Sequence, residues 1–214
     1  MKKLLCLLIL TLCLFSCALA ETPASRVHAL FSSLDAAQGA HLRYDLHLDY
    51  MDSDQSFDVQ GRGGLYYSCR VTRVYGHEDT LVVVFRDGKA YNLYPAKGTG
   101  KLAASTSSSI INKEPLLMDK LYSALRECAK RQDYTLETRE LDGQPYAVEF
   151  FPAPSSYKSD TAFYFDASGR LVYCLESQPQ GSKISIGDSF YTVQAIDASL
   201  DEGLFDISGY TIEE

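Results

Sequence analysis

Over residues 41–50 the chain alternates without a break, with Leu42, Tyr44, Leu46, Leu48 and Tyr50 separated by His41, Arg43, Asp45, His47 and Asp49. Successive side chains of an extended strand point to opposite faces, so the pattern describes a strand with one dry face and one wet face. Antiparallel sheets tolerate that division, whereas parallel sheets are covered on both sides. Turn signals then recur at short intervals. Gly61, Gly63 and Gly64 precede an aromatic and β-branched run over residues 65–75, and Asp87-Gly88 lies between apolar runs at 81–85 and 90–94. Asp142-Gly143 lies between runs at 135–140 and 146–151. Asp-Gly suits the positive φ angles of two-residue hairpin turns, so both pairs predict antiparallel hairpins. A further hairpin is expected from 162–165 and 171–175 around residues 166–169, and a late strand over 190–196.

Two segments follow a helical period. Val27, Leu30, Phe31 and Leu34 fall at i, i+3, i+4 and i+7, so a first helix should run to about Ala37, with Thr22 as its cap, Pro23 in its first turn and Gly39 ending it. Leu117, Leu121, Leu125 and Cys128 share one stripe, which predicts a second amphipathic helix over residues 115–131. The small polar run at 105–109 is expected to be a mobile loop leading into it. No repeat or linker divides the chain, so residues 21–214 read as one mainly β domain with two helices laid in the concave side of a strongly curved sheet.

The first twenty residues carry a different signal. Lys2 and Lys3 precede an apolar run that ends at Phe15, too short for a bilayer core that needs about 20 residues, and Ala18-Leu19-Ala20 resembles a cleavage site. A secretory signal over residues 1–20 and a mature protein starting at Glu21 are therefore expected. A lipoprotein signal is the rival, with Cys17 as the lipidated residue and the protein tethered to a membrane, although Phe15 fits that pattern poorly. Either way the protein is exported, to a periplasmic or extracellular location. Removing two lysines and no acids moves the formal charge from -8 to -10, which makes nucleic acid an unsuitable partner. Cys69, Cys128 and Cys174 remain in the mature chain, too widely spaced for a redox or zinc motif, and read as inert buried thiols.

The sequence shows no catalytic constellation: no G-x-S-x-G elbow, no H-E-x-x-H and no glycine-rich phosphate loop. His41, Asp45, His47 and Asp49 could suggest a metal cluster. Same-face neighbours on a strand stand about 7 Å apart, too far for one ion to gather several, and charges paired across a solvated ladder explain them better. No cofactor is expected. The aromatic content is the informative oddity, with fifteen tyrosines, ten phenylalanines and no tryptophan spread over the strands. Tyrosine offers a large apolar body with a polar tip, which suits the wall of a pocket under helices that can lift.

The order of motifs resembles the LolA/LolB superfamily of bacterial envelope proteins, with its RseB-type sensors and LppX-type lipid-binding lipoproteins. The resemblance spans nearly all of residues 25–212. It rests on the opening helix, on Gly63-Gly64-Leu65-Tyr66-Tyr67 with Arg70 and Arg73, and on Phe85-Arg86-Asp87-Gly88-Lys89-Ala90-Tyr91 followed by Tyr94-Pro95. It continues through Tyr164-Phe165-Asp166 and Gly169-Arg170-Leu171 to Leu204-Phe205-Asp206-Ile207-Ser208-Gly209-Tyr210, where Ser208 stands in place of a frequent proline. The resemblance implies an open, incomplete barrel whose helices plug an apolar cavity for lipids or lipoprotein acyl chains, with no enzymatic chemistry. The pocket residues expected on that basis are Val27, Leu30, Phe31 and Leu34 on the first helix, Tyr44, Leu46, Leu48, Leu65 and Tyr67 on strands, and Leu117, Leu121 and Leu125 on the second helix. An envelope protein-interaction or sensor module without lipid cargo is the alternative.

Overall fold

The computed structural model describes residues 24–49, 53–103, 113–156, 158–179 and 187–213. The expected signal peptide, the Thr22 cap with Pro23, Tyr50 and the polar run at 105–109 lie outside them. A helix α1 (Arg26–Ala37) comes first, followed by a meander of β1 (Gly39–Leu48), β2 (Ser53–Arg62), β3 (Leu65–Val74), β4 (His77–Arg86), β5 (Lys89–Tyr94) and β6 (Thr99–Leu102). The chain then passes through a 3-10 turn (Pro115–Met118) and α2 (Lys120–Cys128). A second meander comprises β7 (Thr135–Leu141), β8 (Gln144–Phe151), β9 (Asp160–Phe165), β10 (Leu171–Ser177) and β11 (Ser189–Asp197), and a short β12 (Thr211–Glu213) ends the chain.

All twelve strands form one sheet in the order β12-β6-β5-β4-β3-β2-β1-β11-β10-β9-β8-β7. The first meander runs outward from β1, and the second starts at the far edge and works back until β11 closes against β1. The two ends of the sheet do not meet, so the barrel is open, as expected. One ladder departs from the all-antiparallel expectation: β12 pairs with β6 in parallel. The last segment can do this because it crosses the outer side of the sheet, where Ile207, Tyr210 and Ile212 pack on Val82, Val84 and Leu93.

The hairpins follow the turn chemistry. Asp87 and Gly88 have φ of 52° and 73°, and Asp142 and Gly143 have 51° and 74°, the left-handed pairs that twist a two-residue turn to match its strands. Helix α1 starts later than expected. Ser25 is its N-cap and accepts from the His28 amide at 3.1 Å, and Gln38, left-handed at φ 55°, ends it one residue before Gly39 opens β1. The single helix expected over 115–131 is broken in two. Asp119 is extended at ψ 132° and accepts from the Tyr122 amide at 2.8 Å, so the turn before it and α2 after it are separate elements that share one apolar stripe.

Both helices lie on the same face of the sheet. Val27 and Leu34 of α1 and Leu121, Leu125 and Cys128 of α2 join Leu42, Tyr44, Leu46 and Leu48 of β1 in the main core. Phe31 and Tyr122 meet across the helix pair with ring centroids 5.7 Å apart. Gly61 of β2 sets how closely the turn before α2 approaches the sheet, because a Cβ there would stand 2.5 Å from Leu116 Cγ and 2.7 Å from its Cδ2. Replacing Gly61 by alanine is expected to push Leu116 outward and lower stability by about 1–3 kcal/mol, the usual cost of overpacking, measured by urea unfolding.

Candidate functional site

The face under the helices is a continuous apolar wall. From β1 it crosses to Tyr191 on β11, Cys174 on β10, Phe163 and Phe165 on β9 and Phe151 on β8, none of them more than 2% exposed. Ten of the twelve expected pocket residues are brought together here. Val27, Leu34, Tyr44, Leu46, Leu48, Leu121 and Leu125 are buried in this cluster, and Leu30, Phe31 and Leu117 are half-buried against it. The stripes of α1 and α2 pack on this wall in the place expected for a ligand, and beside α2 a cavity of about 420 Å³ stays open, lined by Ser123, Glu127, Cys128, Arg131, Thr161 and Glu176 among others.

Leu65 and Tyr67 require correction. Tyr67 packs on the outer side of the sheet beside Val82, Val84 and Leu93, whereas Tyr66 is the residue in the main core. Leu65 has the same parity as Tyr67 along an unbroken ladder and shares its side. Two adjacent tyrosines carry no signal of which one faces inward. Phe57, stacked on Tyr44 at 4.9 Å, was missed for a related reason: it sits in a strand whose other residues are mostly polar.

Each helix is tied to the sheet at its N-terminus by one buried carboxylate. Glu149 of β8 is 2% exposed and receives the Ser25 hydroxyl at 2.7 Å, the Arg26 amide at 2.5 Å and the Val27 amide at 3.2 Å. It therefore meets free donors of the first turn of α1 and lies at the positive end of its dipole. Asp119 accepts the Tyr44 hydroxyl at 2.6 Å while capping α2. Neither tie is visible in the sequence, since its members are 75 to 124 residues apart.

Burial raises the Asp119 carboxyl to about 6, against the opposing pull of the hydrogen bonds from Tyr122 and Tyr44. Burial and the nearby Asp119 charge push the Tyr44 hydroxyl far above its ordinary value, so it stays protonated and donates. Because Asp119 binds its proton more tightly in the folded protein, its stabilising contribution is complete below pH 3.8 and is lost as pH rises through about 6. Asp119→Asn keeps an acceptor for the Tyr122 amide, turns an amide N–H toward the Tyr44 oxygen and removes the charge. We expect the variant to gain up to about 3 kcal/mol on wild type between pH 4 and pH 7, read as the difference between paired urea titrations.

The outer face of β1 carries the charged ladder. Arg43 reaches Asp58, its register partner, at 3.0 Å, and His47 reaches Asp54, also directly opposite, at 2.9 Å. Asp45 accepts from Ser56 and from Gln194, both at 2.6 Å, and His41 lies 3.2 Å from Asp58. These side chains are engaged across strands, with Arg43 and His47 exposed and His41, Asp45 and Asp58 half-buried. Cys128 and Cys174 are buried free thiols and Cys69 is half-buried. Burial pushes the Cys128 thiol up to about 12 and Cys174 well above the ordinary value, which suppresses the reactive thiolate.

No protein-family model matches the chain, and no curated protein matches it in sequence. Similar solved structures include LprF from Mycobacterium bovis, at 12% identity over 84% of this chain and 96% of that one, with a TM-score of 0.47. They also include the MucA/MucB complex of Pseudomonas aeruginosa, at 12% identity over 88% of this chain, with a TM-score of 0.44. The chain spans 64% of that matched chain, less than two thirds of its length. A third is the LolA superfamily protein NE2245 from Nitrosomonas europaea, at 11% identity over 86% of this chain and 98% of that one, with a TM-score of 0.33. At such low identity these neighbours say nothing of what this chain binds.

Proposed function

We propose that the protein is an exported, non-enzymatic binding protein of the cell envelope that takes up a lipid, the acyl chains of a lipoprotein or a similar amphiphile in the space that α1 and α2 fill. The observation that carries this reading is the way the wall is covered. Two short helices seal an apolar surface that runs across β1 and β8–β11, and Asp119, one of their two buried carboxylate ties, bears a charge that burial disfavours. A ligand with an apolar chain can replace the stripe of Leu117, Leu121 and Leu125 against the wall, and moving α2 outward returns Asp119 to water. Val27, Leu30, Phe31 and Leu34 would then line the second side of the space, with Tyr44, Leu46 and Leu48 as its floor. Native mass spectrometry of protein purified from its host without detergent tests this. Extra mass that dissociates as an acyl-chain molecule is expected, and repeatedly bare protein counts against it.

The alternative, a module that binds another envelope protein, has one observation in its favour. On the outer side of β8–β11 the half-buried Tyr146, Phe150, Tyr173 and Phe190 form an aromatic patch, with Tyr146 and Tyr173 5.5 Å apart and Tyr173 stacked on Phe190 at 5.4 Å. Tyr173→Ser would abolish partner capture on that reading and leave amphiphile uptake unchanged on the first.

A further inference from the structure

The ten arginines of the chain fall into groups by their partners. Eight of them, including Arg43, Arg73 and Arg139, lie within 4.0 Å of a carboxylate. Arg26 lies over the Phe165 ring, 5.5 Å from its centroid. Among the described residues Arg70 has neither kind of partner, and its Nε is buried with no hydrogen-bond acceptor.

Its position gives that vacancy a meaning. Arg70 shares the parity of Tyr66 along β3, so it stands on the helix-covered face. Its register partners are Phe57 on β2 and Leu81 on β4, and Phe57 is in turn opposite Tyr44 on β1. The row Tyr44, Phe57, Arg70, Leu81 therefore crosses the face from the sealed core toward half-buried ground. Tyr44 is 1% exposed, and the other three are intermediate. At about 4.8 Å per strand, Arg70 lies about 10 Å from Tyr44 along the sheet, a distance that stacked aromatic surface bridges.

We infer that Arg70 seats the anionic headgroup, a carboxylate or phosphate, of an amphiphile whose chain runs over Phe57 and Tyr44 beneath α2. The inference rests on the amphiphile reading of the same face. A guanidinium presents two parallel N–H donors that fit a carboxylate or phosphate edge, and one of them is the Nε that has no partner. A purely structural residue at this point would do better without a buried donor left unmet. The polarity of the row also fits. Tyr44, at the other end of the row, is sealed in the apolar core, so the headgroup faces Arg70 and the chain faces the core.

The test uses full-length mature protein with a fluorescent fatty acid, its methyl ester, and acetate and inorganic phosphate as free anions. Wild type is expected to bind the acid at least tenfold more tightly than the ester. Arg70→Gln should lower acid affinity about tenfold and leave ester affinity unchanged, and Arg70→Lys should fall between. If the glutamine variant does not fold, the acid-to-ester ratio of wild type and the lysine variant decides. Equal binding of acid and ester, or an equal loss of both in Arg70→Gln, overturns the headgroup seat and leaves the amphiphile reading standing. Failure of wild type to bind either probe overturns both. Displacement of the acid by millimolar acetate or phosphate identifies a free-anion site and overturns the lipid assignment.

Discussion

Replacing Leu121 by aspartate is expected to release α2 from the sheet and leave the two meanders folded. Leu121 is fully buried at the centre of the helix stripe. Its removal from water contributes about 1.5–3 kcal/mol, and an unpaired carboxylate in its place adds a desolvation cost or is forced to protonate. Asp119, two residues away and already disfavoured by burial, makes a second acid at this point worse. A loss of about 4 kcal/mol or more is expected for the closed arrangement. The sheet retains its eleven ladders, ten of them antiparallel, and local opening of a surface element costs less than global unfolding. Hydrogen exchange should therefore rise over residues 115–131 and change little in β1–β4 and β8–β11. An equal rise throughout the sheet would make Leu121 part of an undivided core and end the description of α2 as a lid.

The second large effect is expected at Glu149. Glu149→Leu removes the acceptor of three donors at the start of α1 and leaves the Arg26 and Val27 amides facing an apolar wall. Hydrogen bonds to a charged group contribute about 1.5–3 kcal/mol each and the helix dipole adds to the loss, while removing a carboxylate that had to leave water offsets part of it. A net loss of about 3 kcal/mol is expected, with a fall of about 10 °C in the midpoint of thermal unfolding. Glu149→Gln, which retains one acceptor oxygen, should lose less than half as much. Calorimetry on the two variants separates loss of the acceptor from loss of side-chain volume.

The legible parts of this fold are those where one face is dry and the chemistry is local. Strand β1 declares itself because Leu42, Tyr44, Leu46 and Leu48 all face the core, and the Asp-Gly turns declare their hairpins through φ alone. Strand β2 stays hidden because the inward residues of Ser53–Arg62 include Ser53, Gln55 and Gly61, with only Phe57 and Val59 to mark the period. The break at Asp119 stays hidden because Leu117, Leu121 and Leu125 keep four-residue spacing across it. The helical stripes and the strand they cover were readable, so most of the candidate site was too. The polar residues that give it character were not. Glu149 and Asp119 act on residues far off in the chain, and Arg70 stands out only when the partners of every other arginine are known.

The central claim is that an amphiphile takes the place of the helix stripes against the wall, and the native thiols report on it directly. Cys128 lies on α2, Cys174 on the wall beneath, and the half-buried Cys69 on β3 serves as the internal reference. Maleimide labelling, mapped by peptide mass spectrometry with and without a saturating fluorescent fatty acid, follows each one. Bound amphiphile is expected to raise the Cys128 rate at least tenfold as α2 moves out, while Cys174 stays protected under the acyl chain and Cys69 is unchanged. Saturating ligand that leaves Cys128 as slow as before, or that speeds Cys128 and Cys174 together, would contradict the account.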